Sequence, residues 1–274
     1  EDDLLKAAKA TRAQLNALVN RGFVELEKKV TYRVPYELPE ERNEGEIKLN
    51  DEQQAAYDSL AQMLKSGEPR AALLYGVTGS GKTSVMLAAI DLALSMGRGV
   101  IVMLPEIALT PQTLGIFCSR YGDRVAVIHS ALSSGERIDT YTLIKSGKAD
   151  VVIGTRSAVF APVKNLGMIV MDEEQEHTYK SDSNPKYHAR DIARFRCAEN
   201  RALMLLASAT PSVESYQKAM EGKYTLLTLK HRFGGAPLPE VTVADMREEE
   251  RAGNITPIGR TLADALIRTT KKHE

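Results

Sequence analysis

The sequence predicts an α/β fold in which helices cover both faces of a mostly parallel sheet, and three observations carry that prediction. Short apolar runs recur along the chain: Val100 to Leu104, Val125 to Ile128, Val151 to Ile153, Met168 to Met171 and Leu203 to Leu206. They are almost continuously apolar, as strands buried on both faces are. The polar segments between them leave room for crossover helices. The third observation is the stretch Ala71 to Ala89, AALLYGVTGSGKTSVMLAA, which reads as a strand, a glycine-rich turn and a helix. In such a fold ligands collect at the carboxyl edge of the sheet, so residues that immediately follow each run are the candidates for function.

The glycine-rich turn meets the pattern G-x-x-x-x-G-K-T in full. Gly76, Gly79 and Gly81, with Ser80 between them, allow a tight turn whose N–H groups can point at phosphate oxygens. The helix that follows adds the positive end of its dipole. Lys82 supplies a cation for terminal phosphates, Thr83 a hydroxyl for magnesium, and Ser84 a further polar group at the helix start. An ordinary glycine turn is the alternative. The strand-to-helix setting favours a nucleoside triphosphate, ATP with Mg2+.

Taken in order, the chain opens with a short amphipathic segment from Asp3 to Ala10. Thr11 and Gln14 then form a capping box for a helix running to about Asn20. Gly22 breaks it, and Phe23 to Val34 reads as a small hairpin. Two helices and a hairpin make a winged-helix-like module over residues 1–36, with Arg12, Gln14 and Asn16 able to face a DNA groove or simply to pack. Pro35 to Lys48 is rich in Pro, Glu and Gly and reads as a linker. A larger domain follows over residues 49–232. In it Asn50 caps a helix from Asp51 to Lys65, and the Gln53 amide faces either an adenine edge or solvent. Residues 233–274 read as a connector, a strand from Glu240 to Arg247 and a helix from Pro257 to Ile267.

Composition bounds the reading. At 274 residues the chain holds one large domain or two modest ones. Its 36 basic and 36 acidic residues leave a formal net charge of zero, so nucleic acid would be held by a local positive track rather than by bulk charge. Cys118 and Cys197 are too far apart for a zinc cluster and read as buried thiols. Without a signal peptide or a membrane-length apolar run, the expectation is an intracellular, reducing setting and no membrane partner. Both ends read as cuts within a longer protein.

The strand ends carry the chemistry. The run LGMIVM stops at Asp172-Glu173-Glu174-Gln175, an abrupt appearance of carboxylates where a buried strand emerges. Asp172 is suited to hold magnesium opposite Thr83, and Glu173 to orient or deprotonate the attacking water; a charged surface turn is the alternative. Ser208 and Thr210, after the run Leu203 to Leu206, can sense phosphate through rearranged hydrogen bonds or merely make a turn. Thr110, Gln112, Arg156 and Ser157, in two further strand-end loops, suit a sugar-phosphate backbone, although caps and ion pairs use the same residue types.

The ordered texts LNDEQQAAYDSL, GVTGSGKT, PEIALTPQ, HSALSSGER, GTRSAVF, NLGMIVMDEE, YHARD and SATPS resemble the bacterial primosomal replication-restart helicases, the PriA family of superfamily 2. The resemblance covers nearly the whole chain. It implies a RecA-like first motor lobe and ATP-driven movement on single-stranded and forked DNA, with reloading of the replicative helicase. It also implies single-stranded DNA-binding protein and primosomal loading proteins as partners, a monomeric state, and a place in the bacterial cytoplasm at nucleoid replication forks.

By the same resemblance Gln53 matches an adenine-reading glutamine, and Ser208 and Thr210 match the motif that couples nucleotide state to DNA. The family's aromatic-rich loop falls on Gln175 through Tyr187, where Tyr179 and Tyr187 can stack on bases and Lys180 and Lys186 can meet phosphates. Packing back on their own domain is the other role for these tyrosines. Gln175 stands where the family usually has histidine, and with His188 and Arg190 of YHARD it is assigned to coupling. Glutamine cannot carry a proton as imidazole can. The zinc insertion, the arginine motif of the second lobe and the amino-terminal fork-binding domain of the family have no counterpart in the sequence. The expectation is a chain that binds ATP and hydrolyses it poorly; the alternatives are a nucleotide-insensitive DNA-binding scaffold of the primosome and another superfamily 2 nucleic-acid translocase.

Overall fold

Alternate residues of each central strand enter opposite cores, and this alternation organises the molecule. Val100, Val102, Val151, Ile153, Met168, Val170, Leu203 and Leu205 face one buried cluster. Ile101, Met103, Val152, Ile169, Met171, Met204 and Leu206 face the other. Successive strand side chains point to opposite faces, so an unbroken apolar run fits only a sheet covered twice. The computed structural model describes residues 5, 8–25, 45, 47–232 and 241–272. By its internal contacts it separates into two units, Glu1–Phe233 and Gly234–Glu274.

The first unit holds a seven-stranded sheet in the order β3-β4-β2-β5-β6-β1-β7. Its strands are β1 (Arg70–Gly76), β2 (Gly99–Met103), β3 (Val125–Ile128), β4 (Val151–Gly154), β5 (Leu166–Asp172), β6 (Leu203–Ser208) and β7 (Thr225–Leu229). Every neighbouring pair is parallel. The helices are α1 (Arg12–Asn20), α2 (Asp51–Ser66), α3 (Lys82–Ser95), α4 (Pro111–Tyr121), α5 (Ser134–Ser146), α6 (Ala189–Glu199) and α7 (Val213–Met220). Leu60 of α2 and Ile90 of α3 pack into one core, and Ile144 of α5 with Ala193 and Cys197 of α6 into the other. Asp172 lies opposite Ala207 and Tyr75 opposite Ser208, so the carboxyl ends of β5, β6 and β1 stand side by side.

At the amino end, the Thr11/Gln14 capping box opens α1 as expected. The expected hairpin falls largely on residues outside the described set, as does most of the expected linker. In the second unit, helices α8 (Met246–Arg251) and α9 (Arg260–Lys272) form. Of the expected strand from Glu240 to Arg247, the described residues 241–245 form no strand, and the Asp245 carboxylate accepts from Arg247 N at 2.9 Å to cap α8. A β-rich run needs a neighbour to pair with, whereas a capped helix satisfies its own backbone.

Candidate functional site

β1 ends at Gly76, and the chain turns through Gly79 and Gly81, each at φ +80°, into α3. No side chain caps α3, so its first N–H groups are left for a ligand, the arrangement that favours anions. Gly76 is required by crowding: a Cβ there would lie 2.6 Å from Ser80 Oγ and 2.9 Å from Leu229 Cβ. Lys82 Nζ donates to Gly76 O at 2.8 Å, which holds the cation over the loop. A cavity of about 410 Å3 is lined by Gly79, Gly81, Lys82, Thr83 and Ser84 on the loop side and by Asp172 and Glu173.

Two residues expected to bind the nucleotide face elsewhere. Gln53 is fully buried; its Oε1 accepts from Asn50 N at 2.9 Å to complete the cap of α2, and its Nε2 donates to Ser80 O at 2.8 Å. Its amide is engaged on both sides, so here it braces the glycine-rich loop and presents no free edge. Ser80 is equally buried: its N–H donates to Val77 O at 3.0 Å, and its Oγ points inward without a partner. Gln53 turns inward because the start of α2 packs against the loop, whereas Ser80 is held by its own turn, with its hydroxyl on the Gly76 side.

On the facing side, burial and then the charge of Glu173 push the Asp172 carboxyl up to about 6, against the pull of Lys82. Glu173 adopts φ +45°, a backbone region uncommon for residues other than glycine. Its Oε2 accepts from Gln175 Nε2 at 2.9 Å, Gln175 Oε1 accepts from Ser208 Oγ at 2.6 Å, and Ser208 Oγ accepts from Thr210 N at 2.8 Å. Glutamine, with a donor and an acceptor on one amide, thus joins the end of β5 to the end of β6. His177 does not take the missing ring's place, since its side chain is 92% exposed.

The expected nucleic-acid residues divide. Tyr179 is wholly buried, and its hydroxyl lies 2.9 Å from Met103 O and 2.7 Å from Asp172 O, so it is a core anchor and not a stacking platform. A bulky ring with a polar tip is buried where carbonyls at strand ends can receive that tip. Thr110 caps α4, accepting from Thr113 N at 3.2 Å, while Gln112 is exposed. Arg156, Ser157 and Tyr187 line one recess of about 240 Å3. There the Arg156 guanidinium sits 5.9 Å over the Tyr187 ring and also donates to Thr178 O at 3.2 Å, and Tyr187 meets Phe160 edge-on. Lys180 and Lys186 are exposed.

One residue passed over in sequence does more than its neighbours. Glu174, buried beside the catalytic candidates, accepts from Ser212 N at 2.7 Å, Ser215 Oγ at 2.9 Å and Arg190 Nη1 at 3.1 Å. Arg190 thereby ties α6 to the start of α7 and to the acidic turn. His188, the cap of α6, accepts from Arg190 N at 3.2 Å; burial and then the Arg190 charge hold its pKa below the usual imidazole value. A third carboxylate directly after Asp-Glu, with an arginine in YHARD, was the available signal.

With this geometry in view, comparison with known proteins is decisive at the level of family. The description "DEAD/DEAH box helicase" matches residues 50–219, more than half of the chain. The chain belongs to the DEAD/DEAH box helicases. Within that family it is 42% identical over 272 residues to the replication restart protein PriA of Bacillus subtilis, covering 99% of this chain and 34% of that one. It is 38% identical over 247 residues to PriA of Chlamydia pneumoniae, covering 90% and 33%. The motif resemblance to the PriA group therefore holds across the chain, which spans about a third of the length of these relatives. A solved structure of RecG bound to a three-way DNA junction aligns with a TM-score of 0.52 and 27% identity, over 69% of this helicase chain and 25% of that one.

Proposed function

We propose that the chain is the nucleotide-binding lobe of an ATP-dependent DNA helicase or translocase of bacterial replication restart. The observation that carries this reading is a cavity lined by Lys82 and Thr83 from the start of α3 and by Asp172 and Glu173 from the end of β5. Lys82, the glycines and Ser84 bind phosphates. A hydroxyl and a carboxylate, with water and phosphate oxygens completing the shell, suit magnesium, so Thr83 and Asp172 are its holders. When bound, the ion would neutralise charge on the β- and γ-phosphates. Glu173, steadied by Gln175, orients or deprotonates the attacking water. Through Ser208 and Thr210 the same hydrogen-bonded chain couples the state of the nucleotide to the DNA-facing loops, with Arg190 and His188 holding the adjoining helix start.

The track is single-stranded DNA and the substrate a stalled or branched fork. This is supported by the PriA relatives and by the likeness to RecG bound to a junction. Gln112, Arg156, Ser157, Lys180, Lys186 and Tyr187 are its contacts. Single-stranded DNA-binding protein and primosomal loading proteins are the partners in the whole protein, which works at forks in the bacterial nucleoid and carries its zinc outside this chain. The chain itself acts as a monomer that binds ATP and hydrolyses it slowly, since the arginine expected to face the γ-phosphate comes from a second lobe.

Steady-state phosphate release with and without single-stranded DNA tests the reading. Slow release, abolished by Lys82→Ala together with loss of nucleotide binding, is expected. Vigorous DNA-stimulated turnover by the chain alone would refute the assignment of slow hydrolysis, and unchanged nucleotide binding in Lys82→Ala would refute the site.

A further inference from the structure

Beyond β7 the chain passes beside the phosphate loop and is fixed there. Lys230 N and His231 N donate to Glu52 Oε2 at 2.9 and 3.2 Å, and His231 Nδ1 lies 2.7 Å from Glu52 Oε1. The next residue of α2 is Gln53, whose Nε2 holds Ser80 O. In the sheet, Leu229 stands opposite Gly76. Three segments, the start of α2, the loop and the residues after β7, are therefore linked in a closed ring of contacts.

Arg232 is the residue this ring presents to the loop. Its Cγ and Cδ both stand 4.0 Å from where a Cβ on Gly79 would sit. Its Nε is buried and has no hydrogen-bond partner, and among the described residues no carboxylate pairs with its guanidinium. A desolvated guanidinium donor without an acceptor is unfavourable, and it becomes favourable when an anion arrives. The planar fork of arginine matches phosphate oxygens. Lys82, by contrast, already bonds to Gly76 O.

We propose that Arg232 is a nucleotide-binding residue, its guanidinium contacting the phosphates of a nucleoside triphosphate from the β7 side of the loop. The inference rests on the reading of Gly76 to Thr83 as the nucleotide site. It adds to that site, beside Lys82 and Lys48, a cation drawn from the segment that leaves the sheet.

The test is binding of a fluorescent ATP analogue with Mg2+ to this chain, and its displacement by ATP, ADP and AMP, for Arg232→Gln, Arg232→Lys and Lys82→Ala. Arg232→Gln is expected to weaken ATP and ADP about tenfold, the scale of one lost charge-assisted hydrogen bond, and AMP less. Arg232→Lys is expected to restore part of that loss, and the thermal midpoint of Arg232→Gln to stay near that of the parent. Equal loss for all three nucleotides overturns the assignment to the β- and γ-phosphates, because only the α-phosphate, ribose and base are common to the three. No loss in Arg232→Gln while Lys82→Ala loses binding overturns the role of Arg232 alone. Unchanged binding in Lys82→Ala overturns the nucleotide site itself.

Discussion

Replacing Glu174 with alanine leaves the Arg190 guanidinium in a pocket that no longer contains its counter-charge. The Glu174 side chain is fully buried and that of Arg190 is 13% exposed. The carboxylate accepts from one backbone N–H, two serine hydroxyls and the guanidinium. Arg190 Nη1 also donates to Ser212 Oγ at 2.9 Å and Ser215 Oγ at 2.8 Å, but these neutral hydroxyls supply no counter-charge, and Arg190 Nε is already buried without a partner. Breaking one side of a buried pair costs about 3–5 kcal/mol. The Ser212 cap of α7 also loses the carboxylate that its own N–H and hydroxyl bond to. In a domain of this size each kcal/mol moves the melting midpoint by about 2–4 °C, so Glu174→Ala should melt roughly 6–20 °C below the parent. Urea unfolding followed by far-UV circular dichroism gives the free energy directly. The double variant Glu174→Ala/Arg190→Ala should lose much less than the sum of the two single losses, because the second change removes the stranded charge. A loss below about 1 kcal/mol for Glu174→Ala, or simple additivity in the double variant, would refute the reasoning.

Tyr179→Phe removes the hydroxyl that bridges the ends of β2 and β5, and should destabilise the chain by about 1 kcal/mol with no change in affinity for single-stranded DNA. A marked loss of DNA affinity without loss of stability, measured by fluorescence anisotropy and urea titration, would return Tyr179 to the stacking role. Burial pushes the Cys197 thiol up to about 12 and the Cys118 thiol up to about 11, so both stay protonated at pH 8. A thiol-disulfide reagent at that pH should label both promptly in denaturant and neither in the native chain; rapid native labelling of one would contradict its packing.

Sequence alone determined the class of fold and the position of the glycine-rich turn between strand and helix, because both are written in local signals. An unbroken apolar run can be satisfied only between two covering layers, and G-x-x-x-x-G-K-T between strand and helix needs no distant partner to be read. The carboxylates at Asp172 and Glu173 were legible for the same reason: polar groups directly after a buried strand must stand at the sheet edge. The roles of Gln53, Ser80, Tyr179 and Glu174 were not legible. Each depends on which groups from distant parts of the chain come within hydrogen-bond reach, and residue type does not encode that. Gln53 turns inward because α2 packs against the loop, Ser80 because its own turn directs its hydroxyl to the Gly76 side, and Tyr179 is buried because the ends of β2 and β5 offer it two carbonyls. Glu174 becomes a structural carboxylate because α6 and α7 both begin around it. The strand expected near Val241 failed on the same ground: strand propensity is local, but a strand exists only where a neighbour receives its hydrogen bonds.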